Sequence, residues 1–379
     1  MNNYLLPSGF RDLLPPDARL EQRLMTDILE TFYRFGYEQV SPPFMEFEET
    51  LLAGKGKGYD PYTFRVMDPI SHKMMGLRAD MTMQITRIAA ARLANAPKPL
   101  RLSYAGRVLR VLTDGLSTER QLSQAGIELI GSEAPQADAE IIRTLALALK
   151  KAGYGALVLD ISLGGLLEKM LESEPSFDED ERKYIRELVK QKNADLLPGD
   201  SKAVAAIRQL LNISGNVAAS LELLKSLSLP EESKKQIANL ETVLGLISQG
   251  KDISVSLDPL ESHGFDYHDG LCFSLFLADS RIEVGRGGRY TMEDAEGNHV
   301  SATGATLYVR ALMQAAAVED SRSRRVYLPY GTAACVHEPL QAEGYITVAG
   351  LAQEKDAAAE ARRLTCAAWW DGKKIQSSS

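Results

Sequence analysis

Hydrophobic positions near the start of the chain recur at helical spacing. Four apolar residues, each four positions after the last, outline one face: Leu20, Leu24, Ile28 and Phe32. Asp17 precedes them, at a point where a helix N-terminus favours an acid, and Gly36 follows them as a typical end. The pattern predicts one amphipathic helix, followed by a short strand at 37–40 that the prolines Pro42 and Pro43 stop.

The next segment alternates short apolar runs with helical patterns. Four runs predict strands: 62–67, 74–78, 100–111 and 121–130. Helical stripes at 83–96 and 138–150 lie between and after them, and 156–161 is a further strand pattern. This order predicts an antiparallel sheet of six or seven strands with flanking helices, which is an α+β fold.

Residues 164–249 carry almost no strand pattern. They are rich in Leu, Glu, Lys and Ala, and their breaks fall at Pro175, Pro198, Gly215 and Pro230. This composition predicts a helical insertion of several short helices at about 164–250. Afterwards, strand patterns resume at 253–257, 270–277 and 281–285, and a helix is predicted at 305–317.

The end of the chain predicts a small α/β domain. A polar, charged linker at 318–325 leads into it. Strands are expected at 326–328, 334–336 and 346–348, and helices at 338–343 and 356–368. We therefore expect two domains: 1–320, which includes the insertion, and 326–379.

Composition excludes several functional classes. Lys plus Arg number 43 against 51 Asp plus Glu, a formal charge of −8, which argues against a large nucleic-acid surface. Cys272, Cys335 and Cys366 show neither a disulfide framework nor a zinc spacing, and the five histidines form no metal-ligand pattern with acids. Neither a secretory signal nor an apolar run of membrane-spanning length is visible, so we expect a cytoplasmic protein.

Two glycine-rich runs suggest phosphate loops but do not fit them. GKGKG (54–58) lacks the P-loop spacing and no clear strand precedes it, so we expect a flexible loop. GRGGRY (285–290) is not followed by a helix start, which favours a strand-turn with Arg289 in a structural role.

Four polar residues within the sheet region are candidates for a binding site. Asp80 and Thr82 would face the same surface in an extended chain, and Gln124 and Glu128 would share a face of one strand. Unpaired buried carboxylates are costly, so such residues point either to a small polar ligand or to a solvent-exposed sheet face. Taken alone, the residues leave both alternatives open.

Several segments resemble, in order, the motifs of histidyl-tRNA synthetases. YAGRVLR (104–110) with RQLSQAGIE (120–128) resembles the second motif of that family, and LRADMT (77–82) is similar to its LRPEGT stretch. Further segments resemble the family in the same order: PSGFRDLLP (7–15), FGYEQVSPPFME (35–46), GFDYH (264–268) and GRGGRY (285–290). The resemblance covers roughly residues 1–313.

That resemblance implies a fold, an interface and a site. The fold would be that of the class II aminoacyl-tRNA synthetases, with a dimer interface around 35–46. In the implied histidine pocket, Asp80 and Gln124 hold the amino-acid end and Glu128 accepts a ring N–H, while Arg110 matches a phosphate-binding arginine. The ligand-binding residues implied are Asp80, Thr82, Arg110, Gln124, Glu128, Tyr267 and His268.

Other positions depart from the catalytic pattern of the synthetases. HGFDYH (263–268) begins with His263 where that family has an arginine, and residues 111–113 are apolar or uncharged where it carries charge. An ATP-clamping arginine is replaced by Ala311, and Arg310 would be rotated by about 100° on a helix. Since one preorganised charge donor contributes about 3–4 kcal/mol to a transition state, we expect no adenylation and no catalytic residue.

A pocket that keeps the histidine-binding residues but lacks the ATP-binding arginines is typical of the regulatory subunits of ATP phosphoribosyltransferases, a family of synthetase paralogues. The chain also resembles them in its short tail and helical insertion. The resemblance implies a non-catalytic partner of the short-form catalytic subunit, a self-dimer and feedback by histidine, without cofactor, metal, nucleic acid or membrane. Two alternatives stay open: an active histidyl-tRNA synthetase, or a paralogue that activates another amino acid. Histidine could bind in this pocket or at the subunit interface.

Overall fold

The structure is a computed structural model, and it describes residues 5–112, 118–199, 201–247, 253–261, 268–316 and 324–378. The chain divides into two compact units, Met1–Ala316 and Ala317–Ser379. The predicted domains 1–320 and 326–379 stay a prediction, because compactness alone does not show that each part folds by itself.

The first unit is built on a sheet of eight described strands. In spatial order they are β1 (Glu38–Gln39), β5 (Leu100–Leu109), β6 (Gln121–Ile130), β11 (His299–Tyr308), β10 (Glu283–Glu293), β9 (His268–Leu277), β7 (Leu157–Leu163) and β8 (Ile253–Leu257). Neighbours from β5 to β7 pair antiparallel, whereas β1 and β8 pair parallel with β5 and β7. The predicted α+β class is confirmed, but the sheet has more strands than predicted and its edges are parallel.

The additional strand is β11, in the middle of the sheet between β6 and β10. The helix predicted at 305–317 was therefore wrong in its first turn, since α10 spans Val309–Ala315. Small residues such as Ala302, Gly304 and Thr306 gave no clear alternation of apolar and polar side chains. Tertiary pairing on both sides determines the strand here.

Helices cover both faces of this sheet, each over its own hydrophobic core. On one face, α1 (Asp17–Arg34), α4 (Pro135–Lys151) and α10 pack with apolar residues of β6, β7 and β9. On the other face, α3 (Thr82–Ala91) packs with residues of β5, β10 and β11. The helix predicted at 83–96 ends at Ala91, five residues earlier than predicted.

The predicted amphipathic helix is confirmed as α1. Leu24, Ile28 and Phe32 are buried in the core, and Gly36 follows with a φ of +81° that suits glycine. The spacing of four residues places these side chains on one face, so their burial stabilises the helix against the sheet.

Arg289 holds α4 to the sheet, in the structural role predicted for it. Its Nη2 lies 2.9 Å from Asp138 Oδ2, and its Nη1 donates to the Ser132 carbonyl at 2.7 Å. GRGGRY itself contains no turn and runs within β10. The strand-turn prediction was wrong because the glycines allow close packing against both neighbouring strands; a Cβ on Gly287 would lie 2.4 Å from the Gly304 carbonyl oxygen.

A three-stranded sheet lies between α1 and α3 in the sequence. Its spatial order is β2 (Met45–Phe47), β4 (Met74–Leu77) and β3 (Arg65–Met67), with α2 (Glu48–Leu51) after β2. The flexible loop predicted at 54–58 was wrong: Gly54–Tyr62 forms a 3₁₀ helix. The strand predicted from 62 therefore begins at Arg65.

The helical insertion is confirmed. Its described helices are α5 (Leu166–Glu172), α6 (Glu179–Lys190), α7 (Lys202–Asn212), α8 (Val217–Ser226) and α9 (Glu231–Ile247). Side chains of Asp178, Ser201 and Asn216 accept backbone N–H groups at three of the N-termini, which satisfies donors that a helix leaves unpaired.

The second unit contains a four-stranded sheet, ordered β13 (Ile346–Ala349), β12 (Arg325–Leu328), β14 (Ala368–Trp370) and β15 (Ile375–Ser377). With α11 (His337–Ala342) and α12 (Ala357–Arg363) it forms the predicted small α/β architecture. Two element predictions were wrong: residues 334–336 form a 3₁₀ helix, and the helix predicted to reach 368 ends at Arg363. Thr365 has a φ of +54°, which is incompatible with a continuing α-helix.

Candidate functional site

A pocket opens on the sheet face that α3 covers, and the space of about 340 Å³ within it includes open solvent at its mouth. Polar residues from five elements or their ends line it: Asp80, Thr82, Glu128, His268, Arg286, Tyr290, Thr306 and Tyr308, together with Gly287, Gly304 and Ala305. The pocket therefore combines acids, hydroxyls, an imidazole and a guanidinium in one small volume.

The register of the sheet places these side chains. Tyr104, Gly126, Thr306 and Arg286 lie directly opposite one another on β5, β6, β11 and β10. The Tyr104 hydroxyl reaches across Gly126 and lies 2.7 Å from Thr306 Oγ1. Glycine is required at this crossing, because a Cβ on Gly126 would lie 2.4 Å from the Tyr104 hydroxyl. A row of polar groups thus crosses the pocket floor.

Asp80 and Thr82 stand at the start of α3 rather than in an extended strand. Asp80 Oδ1 accepts the Thr82 backbone N–H at 2.8 Å, and Thr82 Oγ1 lies 3.4 Å from the Tyr104 hydroxyl. The expectation of two side chains facing one way from a strand was wrong, because the chain turns into a helix at Thr82. Both side chains line the pocket nonetheless.

Glu128 is the most deeply buried acid of the pocket, with 1% of its surface exposed. The Tyr290 hydroxyl donates to its Oε2 at 2.8 Å. Burial raises the pKa of Glu128 to about 8; hydrogen bonds from Tyr290, Thr82 and Tyr104 oppose the rise, and the charge of Asp80 adds to it. At neutral pH the acid is therefore mostly protonated, and a ligand that offers N–H donors or positive charge would favour its ionised form.

His268 lies at the first position of β9, against the edge of the Tyr290 ring. The two ring centroids are 6.3 Å apart, with an interplanar angle of 62°. Cys272 is on the same strand, but burial raises its thiol pKa to about 12, so it stays protonated and unreactive at neutral pH. Within the described ranges, no three His, Cys, Asp or Glu side chains form a metal-binding group.

A second pocket lies on the opposite face of the sheet, near α1 and α10. Arg11 and Arg310 both pair there with Glu119, at 3.3 and 3.2 Å, and Arg107 pairs with Glu21 at 2.7 Å. Its charges are paired within the protein. Arg310 thus lies outside the pocket that contains Glu128.

Comparison with known proteins defines the family. The family model described as histidyl-tRNA synthetase matches residues 9–312. A protein of Gluconobacter oxydans, named ATP phosphoribosyltransferase regulatory subunit, is 42% identical over 371 residues, which cover 97% of this chain and 96% of that protein. The chain belongs to the ATP phosphoribosyltransferase regulatory subunit family, whose members are histidyl-tRNA synthetase-like.

Solved structures confirm the fold predicted for this regulatory-subunit family member. A Bacillus halodurans protein, described as an ATP phosphoribosyltransferase regulatory subunit/histidyl-tRNA synthetase, gives a TM-score of 0.79 at 23% identity, covering 96% of this chain and 97% of that one. A chain of an ATP phosphoribosyl transferase complex from Thermotoga maritima gives 0.59 at 17% identity, covering 76% and 97%. The sheet is therefore that of the class II histidyl-tRNA synthetase-like proteins.

Four of the residues predicted for the ligand site in this family member line one pocket: Asp80, Thr82, Glu128 and His268. Gln124 is equally buried and lies on the same face of β6 as Glu128, but outside the lining. Its Oε1 accepts no hydrogen bond from the described residues.

The other predicted residues are placed differently. Arg110 lies outside the lining, and its Nε donates to the Ala79 carbonyl beside Asp80 at 3.1 Å. Tyr267 and the neighbouring His263 lie outside the described residues.

Four lining residues with polar side chains were not predicted: Arg286, Tyr290, Thr306 and Tyr308. Arg286 and Tyr290 belong to GRGGRY, which was singled out but assigned to a turn. Thr306 and Tyr308 lie in the stretch assigned to a helix. Their spacing of two residues fits a strand, but the small residues Ala302 and Gly304 beside them give too little hydrophobic alternation to predict one.

Proposed function

We propose that this chain is the non-catalytic subunit of an ATP phosphoribosyltransferase complex and that histidine bound in the Glu128 pocket inhibits the catalytic subunit. The buried, hydrogen-bonded Glu128 carboxyl is the observation that carries the proposal, because it offers an acceptor to a ring N–H inside a polar pocket. The relatives are named ATP phosphoribosyltransferase regulatory subunit, which supports a catalytic phosphoribosyltransferase subunit as the partner.

The pocket suits both ends of histidine. Glu128 accepts an imidazole N–H, and Asp80 lies where it can pair with the ammonium group, next to Thr82. The buried Gln124 oxygen would accept an ammonium N–H from its place beside the pocket. A charge-assisted hydrogen bond to Glu128 contributes about 1.5–3 kcal/mol, which is about 10- to 150-fold in affinity.

The arrangement around α10 supports the absence of adenylation. Arg310 pairs with Glu119 on the opposite face of the sheet, and Ala311 packs against the core on that face. His263 stands where the synthetases carry an arginine. A triphosphate in the Glu128 pocket would lack these two charge donors.

A self-dimer through the segment around 35–46 belongs to the same proposal. Tyr33, Phe35, Phe44 and Phe47 expose large parts of their side chains along this segment or next to it. Exposed aromatic side chains are enriched at protein interfaces.

Two assays test the proposal. Mixing the chain with the short-form catalytic subunit is expected to raise phosphoribosyl transfer, and histidine is expected to lower it again. By linkage, ATP and phosphoribosyl pyrophosphate should weaken histidine binding to the complex by the factor that histidine imposes on them, typically about 5- to 150-fold. Equal histidine affinity in every substrate state would contradict this coupling.

The second assay addresses the alternatives. Pyrophosphate exchange with ATP is expected to be absent for histidine and for other amino acids. Histidine-dependent exchange above an Arg110→Ala control would identify an active synthetase instead. If histidine still inhibits the complex fully when the subunit carries Glu128→Ala, histidine binds at the subunit interface rather than in this pocket.

A further inference from the structure

Arg286 lines the pocket, but the proposed binding of histidine gives it no role. It lies on β10, directly opposite Thr306 on β11 and Ser274 on β9. Among the described lining residues it is the one arginine or lysine, and it shares the pocket with the acids Asp80 and Glu128. A ligand with a negative group would find its permanent positive charge here.

Glu283 holds the Arg286 guanidinium through two contacts. Nη2 donates to Glu283 Oε2 at 2.8 Å, and Nε donates to Oε1. The two residues stand three apart on a strand, where side chains normally point to opposite faces. A bulge between Glu283 and Gly285 removes this difference, because it inserts one residue relative to β9.

The charge of Arg286 acts inside the pocket. Burial raises the pKa of Tyr308, a lining residue, and the positive charge of Arg286 partly offsets that rise. The Arg286 and Glu283 side chains are 31% and 22% exposed, so the pair lies partly within reach of a ligand and of solvent. Such partly exposed pairs are weak, and a competing carboxylate can replace one partner.

Resting on the proposed function, we infer that Arg286 binds the carboxylate of the amino-acid ligand and exchanges Glu283 for it on binding. An α-amino acid presents an ammonium and a carboxylate at one carbon. Asp80 and the ionised form of Glu128 accept N–H groups but repel the carboxylate, which therefore needs a cation in the same pocket. The planar guanidinium of Arg286 pairs with a carboxylate through two parallel N–H donors.

This assignment makes Glu283 an internal competitor. In the ligand-free protein it neutralises Arg286, and on binding it loses one partner while the ligand gains it. The two residues therefore have opposite effects on histidine affinity. A purely structural role for the pair would give both variants the same sign.

Calorimetry on the full chain with histidine and with histamine, which lacks the carboxylate, tests the inference. Arg286→Gln is expected to weaken histidine binding by about 10- to 150-fold and to leave histamine binding within about twofold of wild type. Glu283→Gln is expected to tighten histidine binding by about two- to fivefold, because it removes an exposed competing pair, and to leave histamine unchanged.

Arg286→Lys controls for folding and geometry. It keeps the charge but not the planar fork, so its histidine affinity is expected between those of wild type and Arg286→Gln. Thermal unfolding midpoints of all variants verify that each variant is folded when its histidine affinity is measured. Equal losses for both ligands, no loss for either, or weakening by Glu283→Gln would overturn the inference.

The outcome for Glu128→Gln separates this inference from the proposed function. If Glu128→Gln weakens histidine while Arg286→Gln does not, the pocket is correct and the carboxylate assignment alone is wrong. If neither variant changes histidine affinity, histidine binds elsewhere and the proposed site itself fails.

Discussion

The Glu128 carboxylate lies against the backbone of Gly304 on the neighbouring strand. A Cβ added at Gly304 would stand 1.7 Å from Glu128 Oε2, far inside van der Waals contact. Since the two residues are direct cross-strand partners, glycine here provides the space in which the acid can lie flat on the sheet and accept from Tyr290. The position of the acid thus depends on the absence of a neighbouring side chain.

We expect Gly304→Ala to displace Glu128 and to weaken histidine binding by more than about tenfold, since the acid loses its hydrogen-bonded place. Overpacking of this kind lowers the free energy of unfolding by about 1–3 kcal/mol. Titration calorimetry and urea denaturation measure the two effects. The matched control is Gly245→Ala in α9, where a Cβ meets nothing within 4 Å. Wild-type affinity in Gly304→Ala would contradict this view of the pocket.

Glu128 gives a pH dependence of stability with a definite sign. Its folded pKa of about 8 lies above the value of 4.5 expected when unfolded, so the folded state holds an extra proton between these values. Its contribution to the free energy of unfolding therefore falls as the pH rises through this window, by at most about 1.4 kcal/mol per pH unit. Urea denaturation of Glu128→Gln should show a flatter pH profile over that range. Parallel profiles for both proteins would argue against a raised pKa.

The same proton is expected to couple to the ligand. If histidine binds the ionised form of Glu128, affinity should rise from about pH 7 to about pH 8, where the free imidazole is already neutral. Tyr104, Tyr290 and Asp80 face the acid, and His268 lines the same pocket. All four residues remain in Glu128→Gln, so the loss of the rise in that variant would assign the proton to Glu128. Calorimetry across this range measures it. A rise that persists in Glu128→Gln would assign the proton to another group.

Breaking the buried pair between Arg289 and Asp138 is expected to lower stability strongly. The two side chains are 11% and 2% exposed, and burial raises the pKa of Asp138 while the charge of Arg289 lowers it. Arg289→Met leaves an acid without its cation, which costs about 3–5 kcal/mol. Denaturant titration is the measurement. The double variant Arg289→Met/Asp138→Leu should lose less free energy of unfolding than Arg289→Met. If both variants lose the same amount, the ion pair itself contributes little.

We expect Phe44→Asp to weaken the proposed self-dimer, because it places a charge on an exposed aromatic side chain of the 35–46 segment. Sedimentation velocity at several concentrations measures the shift toward monomer. Leu351→Asp is the matched control, since Leu351 is 91% exposed in the C-terminal unit. An unchanged dimer in Phe44→Asp, or an equal shift in the control, would exclude this interface.

The sequence predicted well those elements whose hydrophobic period is strong. The α1 helix and the strands β6 and β8 carry clear periods of 3.6 and 2, and their bounds were predicted closely. β11 was missed because its Ala, Gly and Thr side chains carry little hydrophobic signal, and pairing with β6 and β10 determines its conformation.

Part of the site could be predicted from the sequence. Asp80, Thr82 and Glu128 were candidates from their spacing and polarity, the resemblance to synthetase segments gave them a ligand and added His268, and all four line one pocket. Arg286 reaches the same pocket through strand register and a β-bulge, neither of which a sequence pattern shows directly. Non-local pairing is therefore what sequence reasoning lacked.

The parallel pairing of β7 with β8 has a consequence for how the length of this protein can vary. Parallel neighbours cannot be joined by a tight turn and need a crossover of about a dozen residues or more. Here the five described insertion helices occupy that crossover, between Leu163 and Ile253 at one edge of the sheet. The pairing itself requires only that a crossover be present, so its length can vary, but α9 also packs against α4 and β9 and contributes to the main core. Shortening the crossover to a hairpin, however, would force β8 to reverse its direction or leave the sheet.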